Sequence, residues 1–338
     1  MSVFQTETMP VTFCCPIHHA PLTQGEVGQL VCSQCPEPFP MLDDIPVLLP
    51  DSTERQRVAT GAYDDGKIVG NEPLDFYNQT RDHEKYFRAQ LDTVREDLSG
   101  WLAEAKVAGP ILEIGSGKGA LQGIGPDYVA LDYSCTALRT YVRAEYGRVC
   151  GSAATLPFAD NTFRFLFTVA TLEHVPEAGR AFDEVHRVLK PGGVAYLLPA
   201  WHCVQYNCEG IPVRPYRDLT WRQKIIKMSL PLRQTLVAKA LAALPARIVR
   251  RFGWCLRQNP SCFRFQRLTP DYAHYWMSDT DATARLDSHE ACLYFHSRGY
   301  EVLAPGSSAV RQLLARFGPV IVRKPRDLAE PWKVNSAI

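Results

Sequence analysis

Ile111-Leu112-Glu113-Ile114-Gly115-Ser116-Gly117-Lys118-Gly119 decides how this chain is read. A mostly apolar run of strand length breaks into glycines at alternate positions. Glycine takes positive φ, and lets a backbone approach a ligand closely, without steric cost. Working outward, Val129-Ala130-Leu131-Asp132 is a second apolar run, and it ends on an acid. Strands are expected at 111–114, 128–132, 147–150, 164–170 and 193–198, with helices between them, clearest at 177–190. Such alternation calls for a parallel sheet. The crossover from Gly119 to Tyr128 is short for a parallel connection, which usually takes about a dozen residues. A turn or two of helix is expected there.

The glycine loop by itself is ambiguous. It fits a dinucleotide fingerprint if Ala120 stands for the third glycine. It is not a Walker loop, because Gly119 rather than Ser or Thr follows Lys118. The surroundings are more specific. Leu156-Pro157-Phe158 precedes Asp160-Asn161-Thr162-Phe163, then come Leu172-Glu173-His174-Val175 and Leu189-Lys190-Pro191-Gly192-Gly193. This order resembles the class I S-adenosylmethionine-dependent methyltransferases of the type 11 kind, strongly over 111–199 and weakly over 290–325.

The resemblance implies an α/β fold: a doubly wound, mostly parallel, seven-stranded Rossmann-like sheet. It implies S-adenosyl-L-methionine as cofactor, held by the loop Gly115, Ser116, Gly117 and Gly119. Glu113 would organise that loop and reach the amino-acid end of the cofactor. Asp132 would bind the ribose, with Tyr133 against the adenine and Ser152-Ala153 along its edge. Thr171 to His174 would face the methyl group. The chain departs from the family twice. Ser152 stands where an acid is common, and Phe163-Arg164 stands where Phe-Asp is common, which puts local packing in doubt.

Near the N-terminus, Cys15-x2-His18 and Cys32-x2-Cys35 have the spacing of a four-ligand zinc ribbon. Cys14 and His19 are alternative ligands. The run on through Phe39-Pro40 to Ile45-Pro46-Val47-Leu48-Leu49 resembles the small zinc-binding activator of tRNA, rRNA and protein methyltransferases, here in cis. A closed four-ligand shell makes this zinc structural.

These readings divide the chain into a ribbon module at 1–50, a linker at 51–73 and a core at 74–200. An inserted lid at 201–285, the last core strands at 286–326 and a tail at 327–338 follow. Helix is expected from Leu74 to Leu102, at 284–298 another, and strands at 300–303 and 319–323 form a final antiparallel pair.

The first residues lack the order of a signal peptide, and no window is apolar enough to span a bilayer. Eleven cysteines without a secretory signal point to the cytoplasm. The chain carries only +1 net charge, yet Arg214 to Arg267 holds 13 Lys or Arg against Asp218 alone. Within it Leu232, Leu236, Leu241, Ile248 and Phe252 form an apolar stripe flanked by Arg247, Arg250 and Arg251, and Pro245 should kink or split the helix. Peripheral contact of 214–267 with a membrane, a grip on RNA, and a lid are all compatible with this pattern. Trp201, Tyr206, Tyr272, Tyr275 and Trp276 add stacking surface.

No Asp/Asn-Pro-Pro-aromatic motif follows the fourth strand, which argues against methylation of an exocyclic amine. His174 and His202 are the candidate bases by position. The favoured acceptor is a small molecule, a glycan or a lipid-linked precursor, methylated on oxygen. RNA methylation is the alternative enzyme, and a non-catalytic scaffold on the same fold the alternative from another class.

Overall fold

The computed structural model describes residues 11–26, 28–59, 84–125, 127–270 and 281–326. Expectations for 74–83, for Tyr272, Tyr275 and Trp276, and for the tail lie outside them. The chain forms two compact units: residues 1–169 with 180–196, and 170–179 with 197–338.

The first unit opens with four short strands, β1 (Thr23–Gln24), β2 (Gln29–Val31), β3 (Phe39–Leu42) and β4 (Ile45–Leu48). Helices α1 (Ser52–Ala59) and α2 (Glu84–Glu104) follow. The central strands are β5 (Ile111–Ile114), β6 (Tyr128–Asp132), β7 (Gly147–Gly151), β8 (Phe163–Val169) and β9 (Leu189–Leu198). Helix α3 (Cys135–Tyr141) lies between β6 and β7, and α4 (Ala178–Val188) precedes β9 in sequence. The sheet order in this unit is β1-β2-β3-β4-β7-β6-β5-β8-β9. Pairs β7–β6, β6–β5 and β5–β8 are parallel. Leu112, Val129, Leu131, Val149 and Leu166 are all but fully buried. A parallel sheet covered on both faces selects such continuous apolar runs. The fold is α/β and Rossmann-like, with a mostly parallel central sheet.

Three local expectations change. From Gly119 to Tyr128 the described residues form turns and no helix. The start of the expected linker 51–73 is α1, capped by Asp51, whose Oδ1 accepts from the Thr53 and Glu54 amides at 2.7 and 3.2 Å. Its Arg55 lies over the Phe39 ring and donates to the Leu49 and Pro50 carbonyls. The N-terminal strands are also joined to the sheet, because β4 runs parallel to β7, pairing Val47 with Cys150 and Leu48 with Gly151.

Arg164 stands in β8 with its side chain exposed, so the departure from Phe-Asp leaves the core intact. The Leu156–Asp160 segment is held by α4. Arg187 donates to the Leu156 and Phe158 carbonyls and pairs with Asp160 and Glu184. Glu184 in turn accepts from the Leu156 amide at 2.6 Å.

In the second unit, α5 (Gln205–Cys208), α6 (Trp221–Arg233) and α7 (Leu236–Arg257) precede the paired β10 (Gln266–Arg267) and β11 (Ala284–Arg285). Helix α8 (Ser288–His296), strand β12 (Glu301–Ala304), α9 (Ala309–Leu314) and strand β13 (Val320–Arg323) complete it. Strands β12 and β13 are antiparallel, as expected. The helix expected over 284–298 begins later, because Ala284–Arg285 is strand and Asp287 caps α8 by accepting from the His289 amide. Pro245 does not split its helix, since α7 runs through it. The break falls before it, where Thr235 Oγ1 accepts from the Ala238 amide and opens α7.

Candidate active site and metal centre

At the end of β5 the chain turns on Gly115, Gly117 and Gly119, with φ of +78, +48 and +64°. The Gly115 and Ser116 amides donate to the Leu131 carbonyl at 2.7 and 3.1 Å, so the turn is fixed to β6. The Gly117 amide donates to Asp132 Oδ2 at 2.7 Å, and Asp132 Oδ1 accepts from the Ser134 amide at 2.8 Å. A carboxylate has about four acceptor positions. With the amides of Gly117, Ser134 and Tyr133 on it, Asp132 keeps about one acceptor position for a ligand hydroxyl. Burial raises its pKa, opposed by the amides of Ser134, Gly117 and Tyr133.

Two observations leave room for a ligand at this turn. Ser116 Oγ is buried and has no hydrogen-bond partner among the described residues. A Cβ on Gly117 would meet nothing within 4 Å, so the space beside it is open. Gly119 has a different reason to be glycine, since its Cβ would lie 3.1 Å from the Tyr141 carbonyl.

The other expected residues are placed as follows. Glu113 is buried at 3% exposure and accepts from the Tyr128 hydroxyl. Burial pushes its pKa up to about 8. Its carboxyl thus meets β6 rather than open space. Tyr133 is half-buried, and its hydroxyl donates to Glu54 Oε1 at 2.6 Å. Ser152 closes a tight turn with Thr155, its Oγ accepting from the Ala154 amide at 3.2 Å. Ala153 is buried beside it. Glu54 is the residue that pattern reading missed. Asp51 capping three positions before it was the available signal.

Thr171, His174 and His202 belong to the second unit. Thr171 precedes a single 3-10 turn, Leu172–His174. Glu173 in that turn is buried and structural, accepting from the Ala200 amide with its side chain and from the Thr283 amide with its carbonyl. His174 is partly exposed, with Nδ1 3.4 Å from Asp281 Oδ2 and Nε2 3.8 Å from Glu173 Oε1. Both ring nitrogens of His174 thus face carboxylates. His202 is differently placed. Its Nε2 faces Arg247 Nη2 at 3.2 Å. Guanidinium only donates, so this nitrogen accepts and the proton sits on Nδ1. Burial and the charges of Arg247, Arg316 and Arg285, against Asp287, push its pKa down to about 4. With its lone pair engaged, His202 is a poor base in this arrangement.

At the N-terminus, Cys15, His18, Cys32 and Cys35 converge, one ligand atom from each lying within 4.8 Å of the others. Cys15 Sγ lies 3.7 Å from His18 Nδ1 and 3.6 Å from Cys35 Sγ, and His18 Nδ1 lies 3.8 and 3.4 Å from Cys32 and Cys35. With Zn–S near 2.3 Å and Zn–N near 2.0 Å, the edges of a tetrahedron are about 3.5–3.8 Å. The residues fit that ion. Amides of Ile17 and His18 point at Cys15 Sγ, and that of Gln34 at Cys32 Sγ, each at 3.4 Å, which favours thiolate. Cys14 and His19 are not part of this cluster. Cys14 is buried and uses its amide to reach the Pro157 carbonyl at 2.9 Å, and His19 is exposed at φ +54°.

Residues 112–197 match the family model described as a methyltransferase domain. The chain is 28% identical over 197 residues to a demethylmenaquinone methyltransferase of Paenarthrobacter aurescens, covering 54% of this chain and 66% of that one. It is 28% identical over 120 residues to the sterol 24-C-methyltransferase of Neurospora crassa, covering 35% and 31%. It spans less than two thirds of the length of these curated relatives. An S-adenosylmethionine-dependent methyltransferase of Thermotoga maritima aligns over 75% of this chain and 99% of its own at 13% identity, with a TM-score of 0.41. Residues 112–197, on the α/β sheet, are thus similar to a methyltransferase domain.

Proposed function

We propose that the chain is an S-adenosylmethionine-dependent methyltransferase that alkylates a small-molecule, glycan or lipid-linked acceptor, on oxygen. The observation that carries the cofactor is the Gly117–Asp132 contact beside the unpartnered Ser116 hydroxyl. Gly115, Ser116 and Gly117 would cradle the cofactor, and Asp132 would accept from its ribose. Bound there, the cofactor supplies a sulfonium-activated methyl group. The protein's own work is then alignment and, for a hydroxyl acceptor, removal of a proton.

His174 beside Asp281 supports oxygen as the acceptor atom. The relatives named for demethylmenaquinone and a sterol favour an apolar acceptor. RNA has less support, because Arg247, Arg250 and Arg251 pair with Asp287, Glu290 and Gln312 rather than with solvent. A scaffold would not need the retained Gly115, Gly117 and Asp132. The zinc at Cys15, His18, Cys32 and Cys35 is structural in this reading. It braces the segment whose Phe13 and Cys14 pair with Phe158 and Pro157. Incubating the full chain with methyl-labelled cofactor and a lipid extract, a glycan fraction or total RNA tests the acceptor. Label in the RNA fraction alone would replace this reading with its alternative.

A further inference from the structure

Helices α6 and α7 carry their polarity inside out. On the inner face of α7, Arg247 is only 5% exposed and bonds Asp287 at 2.8 and 3.1 Å and the Leu313 and Ala315 carbonyls at 2.6 and 2.8 Å. Arg250 pairs with Glu290 at 2.9 Å, and Arg251 reaches Gln312 at 2.8 Å. The outer face is apolar. Met228, Leu232, Leu241, Ile248, Phe252 and Leu256 are 53 to 72% exposed. The spacings 228/232 and 241/248/252/256 place them in stripes along their helices. A surface helix in water normally shows the reverse arrangement, and an apolar patch this long marks an interaction site.

The charges around the stripes choose the occupant. Residues 221–257 contain nine Lys or Arg and no Asp or Glu. Arg222, Lys224, Arg233 and Arg257 remain exposed beside the apolar positions. A second copy meeting this face across a two-fold axis would bring like charges together. RNA phosphates would find cations but no use for leucine and phenylalanine. An anionic bilayer takes both: apolar side chains enter the headgroup–acyl boundary while the cations meet lipid phosphates. No helix among the described residues is long and apolar enough to cross a membrane, so the mode is surface contact.

We infer that α6 and α7 dock the protein on the surface of an anionic phospholipid membrane. This stands independently of the methyl-transfer reading. The test is co-sedimentation of the full chain with vesicles of phosphatidylcholine, with and without phosphatidylglycerol. Binding is expected on the anionic vesicles, weakening with salt. Leu241→Asp with Phe252→Asp should lower it by about tenfold or more, and Arg222→Glu with Arg233→Glu should do likewise. Both pairs are solvent-facing, so circular dichroism should stay unchanged. Absence of vesicle binding, or binding that survives both pairs, would overturn the inference. So would a dimer that the Leu241/Phe252 pair disperses, or retention of total RNA in place of vesicles.

Discussion

The amide of Gly117 donates to the carboxylate of Asp132 across 2.7 Å, fastening the glycine turn after β5 to the end of β6. The contact makes the cradle a product of two strands rather than of a loop alone. Asp132→Ala removes this acceptor, that of the Ser134 amide, and the proposed ribose acceptor. Hydrogen bonds to a charged group are worth about 1.5–3 kcal/mol each. Cofactor affinity should fall at least about tenfold by calorimetry, and a variant that binds normally would place the ribose elsewhere.

One zinc per chain is the expectation for Cys15, His18, Cys32 and Cys35. Elemental analysis should find it retained in His19→Ala and Cys14→Ala and lost in Cys32→Ser with Cys35→Ser. Zinc that survives the double substitution would contradict the ligand set.

Glu113 makes stability depend on pH in a definite direction. Its folded pKa is raised to about 8 by burial, against about 4.3 for a free carboxyl. The folded chain therefore keeps a proton that the unfolded chain releases. The contribution is full below about pH 4.3 and drains away as pH rises through about 8. Denaturant unfolding should show a loss of up to a few kcal/mol across that window relative to Glu113→Gln, which keeps the shape and removes the titration. Parallel curves for the two proteins would mean that Glu113 is ionised in the fold.

The two histidines should separate. With a hydroxyl acceptor in hand, His174→Ala should cost about 10²-fold or more in turnover, and Asp281→Asn a smaller factor. His202→Ala should act on stability instead, by freeing the Arg247 contact at 3.2 Å. Equal turnover losses would restore His202 as a base.

Much of this was legible because its physics is local. The strands at 111–114 and 128–132 read as continuous apolar runs, which burial on both faces demands. The paired ligand spacings brought Cys15, His18, Cys32 and Cys35 together as expected. What escaped was non-local or non-periodic. Helix α1 buries only Arg55 and Val58 among its described side chains, so hydrophobic periodicity could not mark it. In sequence Arg247 only flanks an apolar stripe, and Asp287, forty positions on, turns it inward. Asp281 reaches His174 from more than a hundred positions away, with no motif to announce it.

The central claim is tested most directly by titrating the unmodified full chain with S-adenosylmethionine and, separately, with a nicotinamide dinucleotide in a calorimeter. The account predicts saturable binding of S-adenosylmethionine and no heat from the dinucleotide. Binding of the dinucleotide without binding of S-adenosylmethionine would contradict it.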